Sequence, residues 1–206
     1  MKKTLLLLLI FTFHFSPFTS WSQGRFDASV FGGLNMCQID GDDAGSYGHP
    51  GLRFGVGTSF PLSDDLQSPW RMVVELAFTN KGSYIEDYDR TLSASYIELP
   101  LMISYTGMDN RLRLAAGVAP AVRVGASVTT YGIEDPVTAD NFTDFDWLPL
   151  TVTIRYRFSK HLGLEGRYQN SMVSVTKNFA AGTYRLFRSN KGCFHNLVSI
   201  GLSYQF

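Results

Sequence analysis

The sequence predicts an all-β fold: an eight-stranded antiparallel up-and-down transmembrane β-barrel. Three observations carry that expectation. The chain opens on an export signal. It then runs through segments of about ten residues whose apolar and polar positions alternate with period two, the length of a tilted membrane-crossing strand. It ends on an aromatic residue that closes an amphipathic strand.

The bulk figures fit. The 206 residues suffice for one domain or one small barrel. The formal charge is zero, so nothing points to nucleic acid. Charged residues make up 17%, below the roughly 25% usual for soluble domains. Met1-Lys2-Lys3 is a basic n-region, Leu5 to Phe13 is an apolar h-region too short to span a bilayer, and Ser20 and Ser22 stand ready for cleavage before Gln23. Residues 1–22 therefore read as a signal peptide and 23–206 as a single barrel domain. Cleavage removes Lys2 and Lys3 and leaves 16 bases against 18 acids, a net charge of −2. No later run approaches the roughly 18 apolar residues of a transmembrane helix.

The first strand is expected near Arg25 to Met36, with Phe26, Ala28, Val30, Leu34 and Met36 on one face. The second, Gly51 to Phe60, sets Leu52, Phe54, Val56 and Phe60 against Arg53, Gly55, Gly57 and Ser59. The third, Trp70 to Gly82, opposes Met72, Val74, Leu76 and Phe78 to Arg71, Glu75, Thr79 and Lys81. The fourth, Ser95 to Tyr105, alternates Ile97, Leu99, Leu101 and Ile103 with Tyr96, Glu98, Pro100 and Met102. A Gly-Met-Asp-Asn turn leads to a long fifth strand, Arg111 to Val128, with Arg113 and Arg123 opposite Leu112, Leu114, Val118, Val122 and Val124. The sixth, Leu148 to Phe158, carries Arg155 and Arg157 on its polar face; the seventh, Leu162 to Met172, carries Glu165, Arg167 and Gln169. The eighth closes the barrel against the first with Val198, Ile200, Leu202, Tyr204 and Phe206. The connections are expected to alternate, with the first, third, fifth and seventh long, as in outer-membrane barrels with short periplasmic turns and long external loops.

Alternation alone does not say which face points outward, because a soluble lipocalin-like barrel has the same period. Three features favour apolar-out. The polar face is rich in Gly, Ser, Thr and Ala, which suit a narrow interior. The mature chain has twelve Arg and four Lys, and Arg is the better cation for enclosed pairing with carboxylates. Trp70, Tyr105, Trp147, Phe158, Tyr204 and Phe206 lie near strand ends, where interfacial girdles sit.

Four segments, Gly32 to Asp42, Glu75 to Gly82, Tyr96 to Met102 and the terminal strand, resemble the PorT-like outer-membrane β-barrel family of Bacteroidetes. The resemblance covers essentially the whole mature chain. It implies an eight-stranded barrel in the outer membrane. The family's best-known member is linked to a protein-secretion system, and the family supplies no catalytic residues to carry over.

The candidate site is a lumen charge network of Arg53, Glu75, Glu98, Arg113, Arg123, Arg155, Arg157, Glu165 and Arg167, expected to interlock and fill the lumen rather than line a pore. Cys37 and Cys193 flank the seam between the first and last strands and form a candidate disulfide, with two separate thiols as the alternative. The basic fourth external loop, with Lys177, Arg185, Arg188 and Lys191, would cap loops that are largely acidic, against the alternative of independently solvated loops. Asp40-Gly41-Asp42-Asp43 lacks the spacing of an EF-hand and reads as a turn, so no metal site is expected. Hydrolase elbows, zinc pairs and phosphate loops are absent. The expectation is a non-enzymatic outer-membrane barrel of a Gram-negative bacterium, without cofactor, with both termini periplasmic and external loops in structural or binding roles. Its partners would be outer-membrane lipid, the barrel assembly machinery and an envelope or secretion-system protein. The alternatives are a secretion-system accessory and a soluble ligand-binding barrel.

Overall fold

The computed structural model describes residues 26–42, 47–177 and 192–206. The expected signal peptide, and Arg185, Arg188 and Lys191 of the fourth loop, lie outside the described residues. Twelve strands form one antiparallel sheet: β1 Asp27–Asp40, β2 His49–Pro61, β3 Trp70–Ile85, β4 Arg90–Glu98, β5 Leu101–Gly107, β6 Leu112–Val118, β7 Ala121–Thr130, β8 Ile133–Glu134, β9 Phe145–Asp146, β10 Pro149–Arg157, β11 Leu162–Ser171 and β12 Phe194–Gln205. A short helix, α1, spans Pro136–Ala139. The pairings run in a closed circuit: β1 to β2, β2 to β3, β3 to β5, β5 to β6, β6 to β10, β10 to β11, β11 to β12, and β12 back to β1. Closure satisfies the backbone groups that an open edge would leave bare in lipid.

The count of twelve departs from the expected eight for a local reason. Pro100 separates β4 from β5 and Pro120 separates β6 from β7; neither can donate to a ladder. Their carbonyls still accept, from Glu75 N at 2.9 Å and Leu99 N at 2.9 Å. Pairing of β3 with β4 and with β5 keeps a single register across the break. The two-residue β8 and β9 lie within the connection from β7 to β10 and pair with β7. An extra residue, Val124, bulges β7 where its pairing with β4 shifts at Ser95 and Tyr96.

The expected alternation of connection lengths needs correction too. Residues 41–48 and 62–69 are equally long, and the third connection shrinks to 86–89. The segments flanking 86–89 continue β3 and β4 as a paired hairpin. The hairpin was hidden in the sequence because its polarity is inverted. Leu92, Ala94 and Tyr96 face inward, while Thr91, Ser93 and Ser95 face out.

Lower on every wall the apolar face points outward. On β12, Val198, Ile200, Leu202 and Tyr204 are 39–60% exposed, and Ser199 and Ser203 are buried. Leu52, Phe54 and Val56 on β2, and Val152, Ile154 and Tyr156 on β10, repeat the pattern. The outward run from Val198 to Phe206 spans nine residues, enough for a tilted crossing. Gln38, Asn80 and Asn196 mark where outward residues turn polar; Asn80 Nδ2 donates to Ser95 Oγ at 2.7 Å, and Tyr47 Oη to Asn196 Oδ1 at 2.9 Å.

At the seam, Gly33 faces Gly201. A Cβ on Gly33 would stand 2.3 Å from the Ile200 carbonyl oxygen, so neither position accepts a side chain without the strands moving.

Leu202→Arg, in the middle of the outward band, is expected to destabilise the refolded protein in lipid vesicles by about 2–4 kcal/mol, while Ser93→Arg, above the band, costs about 0–1 kcal/mol. Denaturant titration of the two variants checks the placement.

Candidate functional site

Inward positions of β2, β3, β10 and β11 bring five charged side chains together. Arg53 reaches Glu75 at 2.8 Å and Glu165 at 3.0 Å. Arg167 reaches Glu75 at 2.6 Å and Glu165 at 3.3 Å. Arg155 reaches Glu75 at 3.4 Å and also pairs with Glu165. Each guanidinium therefore touches both carboxylates. Phe31 lies beneath Arg53, with the guanidinium carbon 4.1 Å from the ring centroid. The other side of the lumen is apolar: Val73, Met102 and Ala115 form a small buried cluster.

A second layer lies toward the long-loop end. Lys81, wholly buried, contacts Glu98 at 2.7 Å and Asp146 at 3.6 Å. Glu98 also accepts from Thr79 Oγ1 at 3.0 Å and Gln169 Nε2 at 2.9 Å. A third layer lies at the end that carries the chain termini. There Asp27 forms ion pairs with Arg71 at 3.1 Å and, more loosely, with Arg113 at 3.7 Å.

Of the nine residues expected to interlock, Arg53, Glu75, Arg155, Glu165 and Arg167 form the central network. Glu98 belongs to the second layer and Arg113 to the third. Arg157 donates to the Asn110 carbonyl at the terminal mouth. Arg123 sits apart near the long-loop rim, paired with Asp144 at 2.7 Å; its guanidinium holds the Asp144 carboxyl below the usual carboxylate range. Lys81, Arg71, Asp27 and Asp146 join these layers although they are not among the nine. Lys81 and Arg71 share the parity of Glu75 on β3, so alternation already placed them inside. Asp146 lies in a connection, where no period applies.

The long-loop end is closed by apolar packing. Ile39, Ile85, Leu92, Tyr96, Val128, Ala139, Phe142 and Cys193 form one buried cluster. His195 lies in it, with Nε2 3.1 Å from Tyr96 Oη and its ring stacked on Phe142. The described part of the last long connection joins the cap through a bridge from Phe142 to Thr176 and through Thr143 N donating to Val175 O at 2.8 Å. Among the described residues the cap is held by hydrophobic burial, and of the four basic residues of the last long connection only Lys177 is described, its Nζ donating to the Asp140 carbonyl at 3.4 Å.

Cys37 and Cys193 are not joined. Cys37 pairs with Leu197 across the seam, and Cys193 adjoins Phe194, the partner of Asp40. That offset of four rungs is about 13 Å along a strand, beyond disulfide reach of about 7 Å. Cys37 Sγ instead donates to Asn80 O at 3.6 Å, and Cys193 Sγ to Gly41 O at 3.4 Å.

A family model described as "Outer membrane protein beta-barrel domain" matches residues 18–177. The chain belongs to that family. Its place is accordingly the outer membrane, and the outward apolar band meets lipid. Among solved structures the fold is similar to Ail, the attachment invasion locus protein of Yersinia pestis, crystallised with the heparin analogue sucrose octasulfate. That match has 11% identity and a TM-score of 0.51, covering 88% of this chain and 99% of that one. Neisserial surface protein A matches at 12% identity and a TM-score of 0.48, covering 89% and 97%. OprG of Pseudomonas aeruginosa matches at 13% identity and 0.37, covering 88% and 96%. No curated protein matches the chain in sequence.

Glu75→Gln leaves three guanidiniums around the single carboxylate of Glu165. Breaking a buried ion network in this way is expected to cost about 3–5 kcal/mol, read as a lowered denaturant midpoint, whereas Arg111→Gln at the exposed turn stays within about 0.5 kcal/mol.

Proposed function

We propose that this chain is a non-enzymatic integral outer-membrane barrel of eight walls, with a lumen closed by side chains, that works through the surfaces it presents outside the membrane. β4 with β5, and β6 with β7, each act as one wall interrupted by proline. The carrying observation is the double closure. The central network spans the lumen, and the apolar cap seals the end above it. The lumen carboxylates are held by cations, which supports a structural rather than a catalytic role for them.

The export signal, the short turns on the terminal side and the hairpins on the other side favour periplasmic termini in a Gram-negative envelope, after delivery to the barrel assembly machinery. In that orientation the β3–β4 and β7–β8 hairpins point outward from the cell. Tyr131 N donates to Asp89 O at 3.1 Å and ties them together. Their tips expose Tyr88, Tyr131 and Ile133 at 59%, 64% and 73%. Glu86, Asp87, Asp89 and Glu134 surround these apolar residues in sequence. Exposed aromatics rimmed by charge suit a protein-binding surface.

A second reading is an accessory of a protein-secretion system, as the PorT-like resemblance implies. It is favoured by where the resembling segments fall: β1 lies beside β12, and β3 beside β4, so the shared residues make up paired walls.

The purified protein is expected to give no sustained conductance in planar lipid bilayers; a stable porin-sized current would overturn the closed-lumen reading. For the second reading, co-purification after gentle detergent extraction should recover a secretion component that is lost on Tyr131→Ser with Ile133→Ser. Recovery independent of those residues counts against docking at the tip.

A further inference from the structure

The terminal end of the lumen is built differently from the capped end. A cavity of about 440 Å³ opens there, bounded by the 62–69 turn and lined by Arg71, Arg113, Arg157, Asp27, Gln67 and Asn110, among others. Its size falls within the range of about 300–1,000 Å³ common to small-molecule sites. A shallow groove beside it adds Arg111, Lys160 and Asp109. Asp27 is the one carboxylate among the cavity's lining residues, and Arg71 and Arg113 share it. Arg157 uses Nη2 on a neutral carbonyl. Three guanidiniums against one carboxylate leave the cavity at +2. The central network above, three Arg to two Glu, is itself +1 and supplies no compensation. The neighbouring turns bring Asp64, Asp65 and Asp109 to this end, outside the cavity lining.

We propose that this mouth binds a small soluble oxyanion carrying two or more negative charges, with Arg71, Arg113 and Arg157 as its ligating groups. Planar guanidiniums that line one concavity suit phosphate and carboxylate oxygens, which they can hold in bidentate geometry. The cavity opens within the ring of strands, away from the lipid-facing band, so a soluble anion is favoured over a lipid headgroup. Two or more charges follow from the +2 left after Asp27 is counted. This site is independent of the external surfaces and stands even if those bind nothing.

The test is titration of the full-length protein, refolded in detergent, with inorganic phosphate at constant ionic strength maintained with chloride. The readout is the thermal midpoint of the folded band on a heat-modifiability gel. The midpoint should rise saturably with phosphate and stay flat in chloride alone. Arg157→Gln, which lies outside the central network, should raise the half-saturating concentration about tenfold or more, the scale of one charge-assisted hydrogen bond. Equal midpoints in phosphate and chloride, or unchanged saturation in Arg157→Gln, would overturn the proposal. Reconstitution into phosphatidylcholine vesicles with and without phosphatidylglycerol separates the sources. A phosphate response that persists in both supports the soluble anion. One abolished by phosphatidylglycerol assigns the site to lipid and overturns it.

Discussion

Three arginines and two glutamates share a space too narrow to hydrate them, and the lumen is arranged around that fact. Desolvation makes any unpaired member costly. Arg53, Arg155 and Arg167 therefore each lean on both Glu75 and Glu165, which lie on walls far apart in sequence; the Arg53–Glu165 contact joins residues separated by 112 positions. A one-residue slip of any of these strands would turn its charge into lipid. The network contributes register as much as stability, since buried ion pairs are often no better than apolar packing. It also dictates the neighbours. Long side chains can cross the lumen only where others are short, and Ser, Thr and Ala fill many of the remaining inward positions.

The same strands change solvent partway along their length. On β3, outward residues run from Trp70 through Phe78 and then become Asn80, Gly82 and Tyr84; inward residues end in Ile85. On β4 the inversion is complete, with Leu92 and Ala94 inside and Ser93 and Ser95 outside. Below the transition the wall faces lipid and encloses charge. Above it the wall faces water and encloses a hydrophobic core, as in any soluble sheet. The collar of Gln38, Asn80 and Asn196 marks the boundary. A single barrel thus joins two folding logics, and the cap gains its stability from the hydrophobic effect, which lipid does not supply.

This inversion explains what the sequence showed and what it concealed. The apolar band was legible because period two is strict there: every outward residue of the terminal strand from Val198 to Phe206 was readable from alternation. The inward charges were legible by the same parity. The β3–β4 hairpin was not, because a reading tuned to apolar-out treats Leu92 and Ala94 as loop residues. Asp146 and Phe142 were hidden for another reason: they reach the lumen from a connection, through tertiary packing that no local period encodes. The broken walls were signalled by Pro100 and Pro120, but a proline at one ladder position still lets its carbonyl accept, so the breaks leave the register intact. The separation of Cys37 from Cys193 depends on the strand offset at the seam, which only pairing reveals.

The two ends of the lumen close, or stay open, according to what their connections can reach. Connection 131–148 brings Ala139 and Phe142 to a shared core with β1, β4 and β7, and the described start of the last connection joins it through Val175, whose N donates to Cys193 O and whose O accepts from Thr143 N. At the other end, turns 108–111 and 158–161 have four residues each and serve only to reverse the chain. The eight-residue turn 62–69 lies over part of the opening. None of the described residues builds an apolar lid at that mouth, and at an opening to solvent water makes an excess of arginine tolerable, where in the sealed middle every guanidinium leans on carboxylates. The two inner layers balance only together, Arg53, Arg155, Arg167 and Lys81 against Glu75, Glu165, Glu98 and Asp146, and the gradient from them to a basic mouth follows from loop length. Wherever side chains cannot close the lumen, the protein meets solvent with guanidiniums, and the field at that opening attracts anions.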